Sequence, residues 1–425
     1  MYKKIVLDNG VRVLLERMSS LKSVALGVWA TVGSRYENKG EEGLSHFIEH
    51  MMFKGTRHRT ASQISNEIDA LGGEMNAFTT HETTAFYVKV LDQQASSALD
   101  LLADLFHHSR FSSQDIVKEK QVVLEEIRTV QDDPEDFVHE LHAKDTLGSH
   151  PLGKPILGSP RSMRQMTRKD LLQYVAKHYR PEKTILSVAG NFSTSKFLDE
   201  INRQFGQWKA KTLSGSGDNS RRWEWPEKAH LRQSIHYKPL EQVHVCVGFK
   251  GLPVGHPDRY AIHVLNTILG GGVSSRLFQE IREKRGLAYT IYSHLTGFFD
   301  GGLLTVYAAT RPAEVEKVVK QICAEAKKLA TRPVTSKELE RTKTQLKGNL
   351  MLGLEGTYGR MNKLAKDELY QGRHVTLQEM VKAIDRITPD QLCDMSKKLF
   401  DLNDFVVTAL GAISKKHVPK LGISV

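Results

Sequence analysis

Alternating apolar and polar positions, or short runs of β-branched residues, mark strands, while apolar residues three and four apart mark helices. The chain opens with Tyr2-Lys3-Lys4-Ile5-Val6-Leu7, a strand pattern that ends in a turn at Asn9-Gly10. Val24-Ala25-Leu26-Gly27-Val28-Trp29-Ala30 predicts another strand, followed by a helix over 44–53, a strand over 85–90 and a long amphipathic helix over 94–106. The order then recurs. Val243-His244-Val245-Cys246-Val247-Gly248-Phe249 predicts a strand, and 260–269, 303–308 and 313–329 predict a helix, a strand and a helix. In that comparison Ser113-Gln114-Asp115 falls on Ser336-Lys337-Glu338. Each half closes with a helix and a strand, over 171–179 and 183–189, then over 391–400 and 404–409. Two homologous halves follow. Strands without regular βαβ spacing give α+β domains, each a mainly antiparallel sheet packed with helices.

Between the halves, Lys211-Thr212-Leu213-Ser214-Gly215-Ser216-Gly217-Asp218-Asn219-Ser220-Arg221-Arg222 has almost nothing to bury and reads as a linker. The expected organisation is a domain over 1–210, a linker over 211–228 and a homologous domain over 229–425. With 40% hydrophobic and 26% charged residues, the 425-residue chain can build two sizeable cores and is not disordered as a whole. Its net charge of +11 suits an anionic partner. No basic cluster or recognition module accompanies that charge, so no nucleic-acid partner is expected. Cys246, Cys323 and Cys393 stand far apart, which excludes a disulfide framework and a cysteine zinc site and favours a reducing compartment. The N-terminus lacks signal and transit features, and no run approaches 18 apolar residues, so the expectation is a soluble, cytoplasmic protein with no membrane span.

The predicted helix over 44–53 contains His46-Phe47-Ile48-Glu49-His50. Residues four apart share one helical face, with Cβ atoms roughly 5–6 Å apart, so His46 and His50 can bind one metal ion. Glu49 lies beside that face, where its carboxylate can take a proton from an activated water. Phe47, Ile48, Met51 and Met52 supply the buried side. The same letters also fit a helix with two core or surface histidines and a solvated glutamate. The surroundings favour the site: Gly33 and Gly43 bracket the lead-in, Ser45 precedes the first histidine, and Lys54-Gly55-Thr56 ends the helix.

These residues resemble the pitrilysin-type zinc peptidases with the inverted His-x-x-Glu-His motif, and within them the short chains related to the mitochondrial processing peptidase β subunit. The resemblance runs over essentially the whole chain and implies one Zn2+ per chain. In that family a later glutamate completes the ligand set, with another seven residues before it. Glu119-Lys120-Gln121-Val122-Val123-Leu124-Glu125-Glu126-Ile127 matches, 76 residues beyond His50 at Glu126. By the match, Glu126 is the third ligand and Glu119 a carboxylate that supports the centre or handles protons. Spacing alone does not choose between Glu125 and Glu126. On a helix, Glu119 and Glu126 share a face while Glu125 points about 100° away. Gly72-Gly73-Glu74-Met75-Asn76-Ala77-Phe78-Thr79 matches the edge strand on which family members add substrate as a further strand, with Asn76 and Ala77 facing the scissile region.

The second half has no paired histidines in Ile262-His263-Val264-Leu265-Asn266-Thr267-Ile268-Leu269, and Glu119 and Glu126 align with Thr342 and Asn349, so it reads as a non-catalytic copy. Its Gly270-Gly271-Gly272 lacks the lysine and spacing of a phosphate loop. Arg282 and Tyr289 match the family's arginine and tyrosine, which bind the substrate backbone and stabilise the oxyanion from the opposite half of a clamshell; in short chains that half belongs to a second polypeptide. Asp136 and Glu140 lie where processing-peptidase β subunits carry acids that contact an arginine two residues before the cut. The resulting expectation is a zinc endopeptidase acting on unfolded or presequence-like peptides, with a preference for basic residues near the cut. It would work as a homodimer or pair with a related inactive chain. The rival is a structural or regulatory subunit of the same fold, whose members usually lack parts of the zinc motif.

Overall fold

Continuous apolar runs such as Ser23–Ala30 and Thr184–Gly190 need cover on both faces of their sheet, and that requirement shapes both halves of the protein. The computed structural model describes residues 2–209, 224–226, 228–402 and 404–413; of the expected linker, 211–223 and 227 lie outside them. The first sheet contains β1 (Tyr2–Val6), β2 (Arg12–Arg17), β3 (Ser23–Ala30), β4 (Glu74–Thr79), β5 (Thr84–Leu91) and β6 (Thr184–Gly190). Its spatial order is β1-β2-β6-β3-β5-β4, antiparallel except between β2 and β6. The second contains β7 (Gln233–Tyr237), β8 (Val243–Lys250), β9 (Ala288–Gly297), β10 (Gly302–Thr310) and β11 (Val406–Gly411). Its order is β7-β11-β8-β10-β9, antiparallel except between β11 and β7. Laid on one another, the orders coincide strand for strand from β2 and β7 onward, parallel pair included. The duplication is therefore a property of the topology, and the fold is α+β with two related units.

Those units are not contiguous in the chain. Counting only described residues, one joins Met1–Thr129, Lys154–Arg222 and Gly353–His374, and the other Val130–Gly153, Trp223–Leu352 and Val375–Val425. In the first, Val24, Leu26 and Val28 of β3 enter the main core with the helices Leu44–Met52 and Ala95–His108. Ala25 and Trp29 point to the other face, where Met361, Leu364 and Ala365 of the helix Thr357–Gln371 cover them. That helix lies so close that a Cβ on Gly27 would come within 2.6 Å of Met361 Sδ. In the second unit Val245 and Val247 of β8 pack against the helices Arg259–Gly270, Val315–Thr331 and Pro389–Leu399. Its other face, with Cys246, Tyr307 and Leu410, is covered by Val138, Phe137 and Leu141 of the helix Pro134–Leu147. Each half of the chain thus contributes the back helix of the other half's sheet. Cys246, Cys323 and Cys393 are free and buried, and no helix among the described residues is long and apolar enough to cross a membrane.

Candidate metal centre

The helix Leu44–Met52 begins at Gly43, whose φ of +91° is strained for any side chain. A Cβ there would also lie 2.5 Å from the Leu157 carbonyl oxygen. The cap therefore comes from a distance. Glu37 accepts hydrogen bonds from the Gly43 and Ser45 amides at 2.8 and 2.7 Å, placing a carboxyl group at the positive end of the helix. Burial pushes this carboxyl up to about 8, against those two bonds. Leu44, Phe47, Ile48, Met51 and Met52 are fully buried, which turns His46, Glu49 and His50 toward the opposite side. Ser45 Oγ shares a hydrogen bond with Tyr174 OH at 2.8 Å and fixes the helix rotation from behind.

The helix Ser113–Asp132 brings Glu126 to the paired histidines. Glu126 Oε2 is 3.4 Å from His50 Nε2 and 3.8 Å from His46 Nε2. It is a buried oxygen that accepts no hydrogen bond. Ligands about 2.0–2.2 Å from a tetrahedral metal ion stand roughly 3.3–3.6 Å apart, so the spacing and the unmet oxygen both fit a divalent cation among the three residues. Seven residues earlier, Glu119 Oε1 accepts a 2.9 Å hydrogen bond from His50 Nδ1. That bond puts the ring proton on Nδ1 and leaves the Nε2 lone pair for a ligand. Lys54 pairs with Glu119 Oε2 at 2.8 Å. Glu125 points away, its side chain 66% exposed and paired with Arg128.

Protonation follows from these contacts. Burial, with His50 adding repulsion, pushes His46 down to about 3, so its imidazole is neutral and able to ligate a metal. For His50 burial acts downward, but the Glu119 bond and the charges of Glu126, Glu119 and Glu49 outweigh it and raise its pKa. Burial tends to raise Glu119, but His50 and Lys54 hold it below the usual carboxylate range, so it stays ionised. Burial raises Glu49, which makes it a better proton acceptor than a solvated carboxylate. Thr79, the last residue of β4, donates a 2.6 Å hydrogen bond to Glu49 Oε2. β4 is the outer strand of its sheet, Asn76 is exposed on it, and Asn76 Oδ1 accepts the Ala77 amide at 2.8 Å.

The other expected site residues lie in the second unit. Arg282, in a short π-helix over Phe278–Glu283, stacks between two rings, 4.7 Å from the Phe278 centroid and 4.5 Å from that of Tyr289. Tyr289 lies on β9 and is 74% exposed. Asp136 and Glu140 share a face of the helix Pro134–Leu147; burial and then the charges of Asp133 and Glu135 raise Asp136, while burial and then Asp136 push Glu140 up to about 7. Sequence patterns gave no hint of Glu37, nor of the contacts that Lys54 and Thr79 make, because each acts through folding contacts rather than through spacing.

Residues 12–160 match the family "Insulinase (Peptidase family M16)", and residues 165–346 match "Peptidase M16 inactive domain". The uncharacterized zinc protease YmxG of Bacillus subtilis is 42% identical over 400 residues, covering 94% of this chain and 96% of that one. An uncharacterized zinc protease of Rickettsia felis is 39% identical over 395 residues, covering 93% and 94%. Among solved structures, a protease from Helicobacter pylori superposes with a TM-score of 0.91 over 97% of this chain and 99% of its own, at 23% identity, a likeness of fold.

Proposed function

Because the chain belongs to the M16 family of insulinase- and pitrilysin-type peptidases, we propose that it is a zinc-dependent endopeptidase of unfolded peptides. The observation that carries this reading is the convergence of His46, His50 and Glu126 beside a Glu49 held by Thr79. His46 and His50, through Nε2, and Glu126, through a carboxylate oxygen, would hold the ion. Zinc there supplies Lewis acidity, bringing the pKa of water toward about 7 and polarising a peptide carbonyl. Glu49 takes the proton of the attacking water and returns it to the departing amine. Glu119 keeps His50 in its ligating tautomer. A structural subunit of the same fold would gain nothing from so many titratable groups brought together and partly buried, an arrangement that costs stability.

The finer reading assigns the substrate to β4, pairing as an added strand beside Asn76 and Ala77. That pairing requires the Ala77 amide to exchange Asn76 Oδ1 for a peptide carbonyl. Arg282 and Tyr289 hold the substrate and its developing oxyanion, supplied across a homodimer. Asp136 and Glu140 favour an arginine before the cut, as in processing-peptidase β subunits, and the enzyme works in the cytoplasm. The purified protein should carry one zinc per chain and cleave an unstructured peptide until a chelator is added. Glu49→Gln should keep the zinc and lose cleavage by at least about a hundredfold. Undiminished cleavage by that variant would remove the general-base assignment.

A further inference from the structure

A second group of side chains converges away from that centre: His58, Asp104 and His108, whose ligand atoms all lie within 4.8 Å of one another. Asp104 and His108 are four apart on the helix Ala95–His108 and therefore share a face. His58 comes from the turn after the helix Leu44–Met52. That turn is fastened to the helix carrying the other two residues. Thr56 Oγ1 donates to Asp104 Oδ2 at 2.7 Å and accepts the amides of His58 at 3.0 Å and Arg59 at 2.8 Å. The Arg57 amide reaches the His108 carbonyl at 3.0 Å. The backbone on either side of His58 is thus fixed, and its ring stands edge-on to that of His108, centroids 4.8 Å apart.

We propose that His58, Asp104 and His108 form a second, peripheral site for a divalent transition-metal ion of the zinc, copper or nickel type. Two imidazoles and one carboxylate suit that group of ions and not calcium or magnesium. Asp104 is 5% exposed, an unusual place for a carboxylate that only decorates a surface. Its Oδ2 is taken by Thr56 and by Arg59 at 2.8 Å, which leaves Oδ1 toward His108 Nδ1 at 3.0 Å. That separation is close to the roughly 3.3 Å between neighbouring ligands of a tetrahedral ion, so an ion can replace the shared proton with little movement. Arg59 does not repel it. One guanidinium faces three carboxylates, Glu67, Asp100 and Asp104, and the surplus is negative. His58 is exposed and the His108 side chain is 40% exposed, so water completes the coordination and the site binds more weakly than the first centre, whose histidine side chains are 14% and 17% exposed. This site is independent of the peptidase reading.

Titration of the metal-free, full-length protein with Zn2+ alone, followed calorimetrically, tests the proposal, with thermal melting to confirm folding. The wild type should take two equivalents of different affinity. His58→Ala with His108→Ala should lose the weaker one, and His50→Ala the tighter one. His108→Asn, which can keep a hydrogen bond to Asp104, serves if the double variant misfolds, and should weaken the second site at least about tenfold. A second equivalent that survives these substitutions, or a wild type that binds one equivalent abolished by His50→Ala, overturns the second site. One equivalent that persists in His50→Ala and disappears with the His58 and His108 substitutions supports it even if the peptidase reading fails.

Discussion

Thr79 Oγ1 and Glu49 Oε2 are joined by a 2.6 Å hydrogen bond that ties the outer strand of the first sheet to the carboxylate beside His46, His50 and Glu126. The bond spends one Glu49 oxygen on orientation and leaves the other for proton transfer. Thr79→Val should therefore lower kcat about ten- to a hundredfold with zinc content unchanged, and Thr79→Ser should restore most of the rate. A loss in Thr79→Ser with little change in Thr79→Val would show that only the methyl group's packing matters.

If Arg282 and Tyr289 act across a homodimer, Glu49→Gln and Tyr289→Phe chains should complement one another. Each inactive partner supplies what the other lacks at one of the two sites. Mixing equal amounts should recover up to about a quarter of wild-type activity once chains exchange. No recovery, with exchange shown by native mass measurement, would sink the assignment across the dimer.

Asp136 and Glu140 should select arginine near the cut. Asp136→Asn with Glu140→Gln should lower kcat/KM for arginine peptides at least about tenfold and leave matched neutral peptides nearly unchanged. Glu140 sits near 7, and an arginine binds its ionised form. The arginine preference should therefore rise with pH through about 7 and level off about one pH unit above it. A flat pH dependence of that preference would return both acids to an ordinary solvated face.

Acid should destabilise the protein well above the usual carboxylate range. Burial pushes His142 and His178 to about 3, and His107 and His294 to about 4. Between those values and 6.5 the unfolded chain binds the protons that the folded one refuses, so stability falls as pH falls. Glu37, near 8, and Glu140, near 7, act with the opposite sign above 4.5. These histidines outnumber the two carboxyls, so unfolding takes up protons on balance and stability falls as the pH is lowered through this range. Urea unfolding of the zinc-loaded protein at about pH 5.2 and about pH 6.2 measures this slope. His142→Gln should reduce it by about one proton.

The helix with the paired histidines was legible because its two faces differ so sharply. Phe47, Ile48, Met51 and Met52 are buried, and His46, Glu49 and His50 interrupt them at helical spacing. The family match chose Glu126 over Glu125, and helix geometry supported that choice by putting Glu126 on the face of Glu119. The helix Ala61–Ala70 left no such trace, because Ile64 is its only buried residue and no stripe forms. Nor could spacing reveal Glu37 as the cap of a helix beginning seven residues later, or Lys54 and Thr79 as partners of Glu119 and Glu49. These pairings exist only once the sheet and helices have met.

The exchanged back helices bear on how the protein is made. While the ribosome has finished only the first half, Ala25, Trp29, Ile185 and Ala189 lack the cover that Met361, Leu364 and Ala365 later provide. The unit that carries His46, His50 and Glu126 cannot cover the back of its sheet until synthesis passes the helix Thr357–Gln371. Its nascent form carries an exposed apolar face for most of translation, a state prone to aggregation and suited to chaperone capture. A gene split at the linker would yield two fragments, each missing the helix that the other encodes.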